Sequence, residues 1–577
     1  MRKGNFGVKI YNKEGQPVTG KISVRMAKHE FPFGIAFDFY EGDIKTIIPT
    51  EEQWMKAAMF KYFNYGVSGN SFKWSGIQPQ HTAPNYTAFN NAVNWTRKVG
   101  WELRAHTLLW GAYNYEDDHP LPRWVKDLPT PQAITDTCKM RVIREMTKYK
   151  GIVKEYDVIN EPLHATYLQS VVGDSINWNC FKWARSADST ANLFSNDYNV
   201  EYVWGDAKKY RDLILKIKEN GGPVTGVGMQ CHFWNGLRPN IADFITQINI
   251  VAEAGLPIKF TEFDYGGDLT QAQQAEDFVK VLKIGFSHPS VNGIIYWGLC
   301  DKNVWRENTG LFDKNHKPKL AADTLLYFTK KLWATNFDST LTGEQPLMFN
   351  AYYGYYNIEV KFNDTVKVFT IPCIKVNKDS VFTLYENDAV VKGPQLIQTQ
   401  LLSNTQVKIV FDKTMDNASI DKYNFRFFSN NSIAISSMEV NPEEKNVITI
   451  TLNKQIVPGD YISISYFPGT LASTDGSKAP AFGPEPIYNP LVNNIENMPR
   501  NNNITIYPVP AENIININGI AESSKVSIFN VAGILLFESI NKSESMEIDV
   551  SKFEKGFYVI KIVDRDNNIV MRKILLK

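Results

Sequence analysis

Residues 153–163 read VKEYDVINEPL. Positions 153–159 alternate and are rich in β-formers, so the run predicts a short buried strand. It stops at Asn160-Glu161-Pro162, because proline cannot donate to a ladder and biases the residue before it away from helix. A carboxylate therefore stands at the carboxyl end of a strand. A second stretch, residues 256–263, reads LPIKFTEF and repeats the device: a short apolar strand that ends in Glu262.

Working outward, short apolar runs alternate with amphipathic ones from residue 31 onward. Strands are expected near 31–37, 65–69, 102–110, 153–160, 190–195, 224–230, 257–263 and 291–298. Helices are expected near 51–63, 85–99, 131–149, 172–187, 204–220, 240–254, 270–286 and 317–333. In the 270–286 segment, Ala272, Ala275, Phe278, Val279 and Leu282 form one apolar stripe, and Thr270 suits the N-cap. Eight strand–helix units over some 300 residues predict an α/β fold, a (β/α)8 barrel at 31–335. The two glutamates end strands four and seven, which gives about 34 residues per unit, close to the roughly 31 of a barrel of about 250 residues.

Such a barrel gathers all strand carboxyl ends on one face. The second strand is followed by Asn70 and Lys73-Trp74, and the third carries His106 and ends in Trp110. The fourth gives Asn160-Glu161 and the fifth Asn196-Asp197-Tyr198. The sixth gives Gln230-Cys231-His232 and the seventh Glu262 and Asp264. The eighth gives Trp297, then Asp301 and Trp305. Two carboxylates at one mouth suit cleavage of a glycosidic bond, one protonating the leaving oxygen and one attacking the anomeric carbon. Trp74 and Trp95 are read as core, and Cys231 as a packing residue.

Composition sets bounds. A chain of 577 residues should hold several domains, and a net charge of +1 gives no reason to expect nucleic acid or an anionic membrane as partner. No apolar run approaches the roughly 20 residues of a membrane span. Aromatic residues reach 13%, which suits a sugar-stacking surface. The five cysteines lack CxxC spacing, so neither a zinc site nor a disulfide scaffold is expected, and no cofactor or metal. The amino terminus shows no apolar h-region of a signal peptide.

The barrel is flanked by β-rich sequence. Residues 1–30 predict a leader hairpin, with strands at 6–11 and 21–26 around a turn at 12–17. Beyond about 335, alternation dominates: a small β-module at 336–390, an immunoglobulin-type sandwich at 391–492, an Asn- and Pro-rich linker at 493–503 and a further β-unit at 504–577.

Seven strings, GNSFKW (69–74), HTLLWG (106–111), DVINEPL (157–163), SNDYN (195–199), GVGMQCHF (226–233), KFTEFD (259–264) and YWGLCDKNVW (296–305), resemble glycoside hydrolase family 10, the β-1,4-xylanases. The resemblance covers about residues 30–335. It implies a secreted, retaining endo-β-1,4-xylanase acting on xylan or xylo-oligosaccharides, with Glu161 as acid/base and Glu262 as nucleophile. It implies that Asn160 bonds the sugar 2-hydroxyl and that Gln230 and His232 orient Glu262. It places Asn70, Lys73, His106, Trp110, Trp297 and Trp305 along the glycone subsites. Gly69 and Gly111 replace the Glu and His usual in the family. Fewer glycone contacts are expected there, with space for a branched sugar. The alternatives are a non-catalytic polysaccharide-binding surface protein, or the same chemistry on another β-1,4-glycan.

The string VKIVFDKTMD resembles bacterial surface Ig-like modules. IYPVPAENIININ, VSIFNVAGILLFE, IDVSKFEKGFYVIKI and MRKILLK resemble the C-terminal sorting domain of type IX secretion. This second resemblance implies secretion machinery as a partner and an extracellular or cell-surface location, with the signal peptide missing by truncation.

Overall fold

The computed structural model describes all residues except 1, 44–45, 47, 113–119, 234–236, 490–503, 531–534, 566–568 and 577, and the side chains of 535, 569, 571 and 573. The expected linker at 493–503 lies outside the described residues.

Eight parallel strands close on themselves: β1 (Phe33–Phe37), β2 (Tyr65–Ser68), β3 (Glu102–Ala105), β4 (Glu155–Asn160), β5 (Asn192–Asp197), β6 (Gly226–Met229), β7 (Ile258–Tyr265) and β8 (Val291–Tyr296). Each pairs with the next, and β8 returns to β1 through Ile294↔Phe33. The outer ring holds α1 (Glu51–Tyr62), α2 (Thr87–Lys98), α3 (Pro131–Lys148), α4 (Ile176–Ala187), α5 (Ala207–Glu219), α6 (Ile241–Ala252), α7 (Gln271–Ser287) and α8 (Leu320–Tyr327).

Local chemistry sets where these helices start. Thr50 and Thr270 form capping boxes with Gln53 and Gln273, and Thr130 caps α3 with Pro131 in its first turn. The stripe on α7 is rotated from its expected position. Ala272 is exposed, and the buried face runs through Gln274, Asp277, Phe278, Val281 and Leu282. Polar residues are tolerated there because they are paired: the Gln274 amide donates to Tyr265 O and Asn308 O, both at 2.9 Å, and Asp277 takes a two-pronged bond from Arg238. The last expected helix is shorter, since Phe328–Leu332 widens into a π turn after α8.

The expected leader hairpin is not formed. After a tight turn closed by the Tyr11↔Pro17 bridge, Lys3–Tyr11 and Thr19–His29 part into two different sheets. Lys3–Tyr11 lies between Leu347–Tyr352 and Val381–Tyr385, while Thr19–His29 lies between Asn336–Thr342 and Gly354–Phe362. The two ends of the sequence region thus share one sandwich core of Phe6, Val8, Val24, Tyr356, Ile358 and Ile371. Alternation identifies a strand but not its partner, and the apolar faces of both strands are buried only when the sheets stack.

Residues 396–487 form a four-stranded and a three-stranded sheet around Val407, Ile409, Ile448, Ile450 and Ile464. This sandwich seats on α1, where Lys61 Nζ reaches Pro484 O at 2.9 Å and Glu485 Oε1 at 3.0 Å. Phe428 joins the barrel's own apolar cluster. Residues 505–576 form two more sheets around Ile515, Ile517, Val526, Ile528, Ile560 and Ile562.

Candidate active site

Glu161 follows β4 directly. Its φ of 53° turns the chain sharply, and its N–H is anchored on Asn196 O at 2.7 Å. An L-residue in this left-handed region costs about 1–2 kcal/mol, so the surrounding structure must hold it there. The carboxyl is nearly buried. The Trp110 indole N–H donates to Oε2 at 2.8 Å and the Gln230 amide to Oε1 at 3.0 Å. Burial pushes Glu161 up to about 7. The Gln230 bond opposes this, while the charges of Asp197 and Glu262 add to it.

Glu262 lies within β7 and faces the same mouth. Asn196 Nδ2 donates to its Oε1 at 2.7 Å, and His232 Nε2 lies 3.3 Å from Oε2. Burial alone would raise this carboxyl, but the charge of His106, 4.0 Å away, and the His232 bond outweigh it and hold Glu262 below its ordinary value. His232 is itself fixed by Asp264, whose Oδ1 is 3.0 Å from Nδ1. Burial lowers His232, but Asp264 and Glu262 carry it up to about 10. Trp305 closes this chain of contacts, its indole N–H on Asp264 Oδ2 at 2.7 Å and its face 54% exposed.

Asn196 joins the two carboxylates' surroundings. Its amide N–H groups reach both Glu262 and Asn160 Oδ1 (2.8 Å), and its oxygen accepts from Thr261. That leaves Asn160 Nδ2 buried with no hydrogen-bond partner among the described residues, a donor available to a ligand in the mouth.

The remaining expected residues surround this pair. Lys73 Nζ donates to Asn70 Oδ1 at 2.7 Å and lies 5.1 Å over the Trp110 ring. His106 stands 5.9 Å from Trp110 and 5.5 Å from half-buried Trp297. Asp38, at the end of β1, accepts from the Asn70 and Ser71 N–H groups at 2.8 and 2.7 Å and so holds the turn that presents Lys73. Trp74 and Trp95 are core, and Cys231 is fully buried.

Two expectations need correction. The Gln230 side chain serves Glu161 rather than Glu262; only its main-chain oxygen meets Glu262, accepting that residue's N–H at 3.0 Å. Cys231 takes φ 59° just beyond β6, and Gln230 and His232, on either side of it, serve different carboxylates. The glycines also leave less room than expected. A Cβ at Gly111 would sit 2.5 Å from Ala165 O, so main chain fills that space. At Gly69 it would meet the Asp38 carboxylate at 3.0 Å.

Roles for Asn196, Asp264 and the buried charges beneath them were missed. Under the mouth, Arg104 pairs with Glu155 and Asp157, Lys259 bonds Glu155 at 2.7 Å, and Asp157 Oδ2 reaches His106 Nδ1 at 3.1 Å. Asn196 and Asp264 stand at strand ends and inside the strings SNDYN and KFTEFD, which mark the positions but not the partners.

A cavity of about 650 Å3 lies at the opposite end of the barrel, lined by Arg2, Glu30, Phe286, Val291, Tyr353 and Lys375. It is remote from both carboxylates, so the site is defined by its chemistry and not by the size of a hollow.

Paired carboxyls with opposite proton affinities, at the carboxyl face of a barrel, define a glycosidase-type site. Residues 25–327 match the pattern of Glycosyl hydrolase family 10, more than half of the chain, and the protein belongs to that family. Residues 505–577 match the secretion system C-terminal sorting domain. Endo-1,4-beta-xylanase 1 of Arabidopsis thaliana is 27% identical over 372 residues, 64% of this chain and 37% of that protein. Endo-1,4-beta-xylanase B of Thermotoga neapolitana is 28% identical over 306 residues, 49% of this chain and 86% of that protein. The crystal structure of native xylanase 10B from Thermotoga maritima is 27% identical, with a TM-score of 0.45 over 51% of this chain and 93% of that one. The chain spans little more than a third of the length of the Arabidopsis relative.

Proposed function

We propose that the protein is a secreted, retaining endo-β-1,4-xylanase. The observation that carries this reading is the split between the two carboxyls: Glu161 raised to about 7 and Glu262 held low. On the acid side of pH 7 this leaves Glu161 protonated and Glu262 ionised, the states a double displacement needs at its start.

In the first step, Glu262 attacks the anomeric carbon and Glu161 gives its proton to the departing glycosidic oxygen. Asn160 Nδ2 donates to the 2-hydroxyl of the sugar being cleaved. Esterifying Glu262 removes its charge, which lowers the proton affinity of Glu161; now ionised, Glu161 takes a proton from water as the water attacks the glycosyl-enzyme. His232 keeps the nucleophile ionised, and Lys73, His106, Trp110, Trp297 and Trp305 position the chain on the glycone side. The named relatives support xylan as substrate, and the sorting-domain match supports export with secretion machinery as partner. We assign the domains as a barrel with a sandwich of residues 1–30 and 336–390, an Ig-like sandwich, and the sorting domain.

Reducing-sugar release from a panel of β-glycans, with the anomeric form of the first product followed by NMR, tests the reading. Hydrolysis of xylan to a β-anomer is expected. Inactivity on every β-1,4-glycan, or an α-anomer, would overturn it.

A further inference from the structure

His164 lies three residues beyond Glu161, and its main-chain N–H donates to Glu161 O at 3.1 Å. Its ring is held on both sides: Nδ1 is 2.6 Å from Asp197 Oδ1, and Nε2 is 3.1 Å from Asp206 Oδ2. A carboxylate oxygen only accepts, and a neutral imidazole has one N–H. Both contacts are hydrogen bonds only if the ring is an imidazolium. The ring also stacks on Tyr198 at 4.1 Å.

Asp197 is fully buried at the end of β5. It also accepts from the Leu163 N–H and the Tyr198 N–H, both at 2.9 Å, so every donor it meets suits the ionised form. It thereby ties the segment that carries Glu161 to β5. Its charge also bears on Glu161 and raises it more than the charge of Glu262 does.

We propose that His164 is a positioning residue whose positive charge, fixed between Asp197 and Asp206, offsets Asp197 beside Glu161 and so sets the pH at which Glu161 loses its proton. The inference rests on Glu161 being the acid. The charged and titratable groups facing His164 are Asp197 and Tyr198 from β5 and its end, Asp206 at the start of α5, Lys209 through its 2.6 Å bond to Asp206, and Glu161 on its own segment. Burial pulls His164 down, but its bonds and charges with the two aspartates outweigh this and raise it. Burial pushes Asp197 up, and His164 is the main group pulling it back.

The test is the basic limb of the pH profile of kcat/KM on soluble xylan, with the full chain. Without the cation, Asp197 acts on Glu161 unopposed, so His164→Gln should move that limb up on the order of 0.5 unit. Asp197→Asn removes the anion and should move it down, and the double variant should return toward wild type. A merely structural role would lower kcat without shifts of opposite sign; shifts of one sign, or none, would overturn the proposal. Nitrogen NMR of the labelled wild-type histidines decides independently of any variant's folding: both ring nitrogens of His164 should be protonated at pH 6.5, and a neutral ring there would overturn it. Failure of the catalytic reading is separate, because Glu161→Gln would then keep a basic limb.

Discussion

At the residue scale, the two glutamates differ by what surrounds them, and each difference has a measurable consequence. The proposed role of Glu262 as nucleophile predicts that Glu262→Ala, which leaves the apolar core untouched, loses turnover by several orders of magnitude while its circular dichroism and melting stay near wild type. Azide can fill the gap left by the carboxylate, so it should restore part of the activity as a glycosyl azide of inverted configuration. Glu161→Ala should cripple xylan hydrolysis yet spare the first step on aryl xylosides with acidic leaving groups, which need no proton. Equal losses on both substrates would contradict the acid role. Wild-type activity should fall as pH rises through about 7, where Glu161 ionises, and fall again below pH 4.5, where Glu262 takes up a proton. Stability follows the same group. A carboxyl raised in the folded state binds its proton more tightly there, so its stabilisation is full below pH 4.5 and is lost as pH climbs through about 7. Glu161→Gln should therefore be more stable to unfolding than wild type at pH 8, by at most about 3 kcal/mol, and lose that advantage at pH 5.

At the element scale, the loops after the barrel strands are packed against one another, so substitutions there act through backbone fit. Gly111 abuts the main chain of Ala165 and Leu168. Putting the family's usual histidine there with Gly111→His must push that loop aside, at a cost of roughly 1–3 kcal/mol, and should lower both melting temperature and kcat. An unchanged Tm with tighter binding of linear xylo-oligosaccharides would show that the loop yields without cost. The strands and helices of the barrel were legible because each carries its own periodicity, and four of the eight helices also start at a side-chain cap. The rotated face of α7 was not, because Gln274 and Asp277 look solvent-facing until Tyr265, Asn308 and Arg238 are brought to them.

At the scale of the whole molecule, the accessory units attach differently. Among the described residues the sorting domain pairs its strands only with one another, and it has its own core, so deleting 504–577 should leave the purified protein's rate and the barrel's melting unchanged. In the host, that deletion should abolish surface activity. Residues 1–24 behave otherwise, since Lys3–Tyr11 is the central strand of one sheet and Thr19–His29 an inner strand of the other. Their removal should cost the sandwich its cooperative unfolding in calorimetry, whereas a detachable leader would leave the trace unaltered.

The sequence alone determined what depends on near neighbours along the chain. The eightfold alternation, the caps, the two glutamates at strand ends and the order of the seven strings are local patterns, and the barrel topology converts strand ends into a shared mouth. Only the tertiary structure decided what depends on groups far apart in sequence: that Gln230 serves Glu161, that Asn196 links Asn160 to Glu262, and that Arg104, Glu155, Asp157 and Lys259 lie inside the barrel. It also decided that the first and last strands around the barrel share one sandwich. A charged residue in an alternating strand reads the same whether it faces water or a buried partner, and only folding supplies the partner that repays its desolvation.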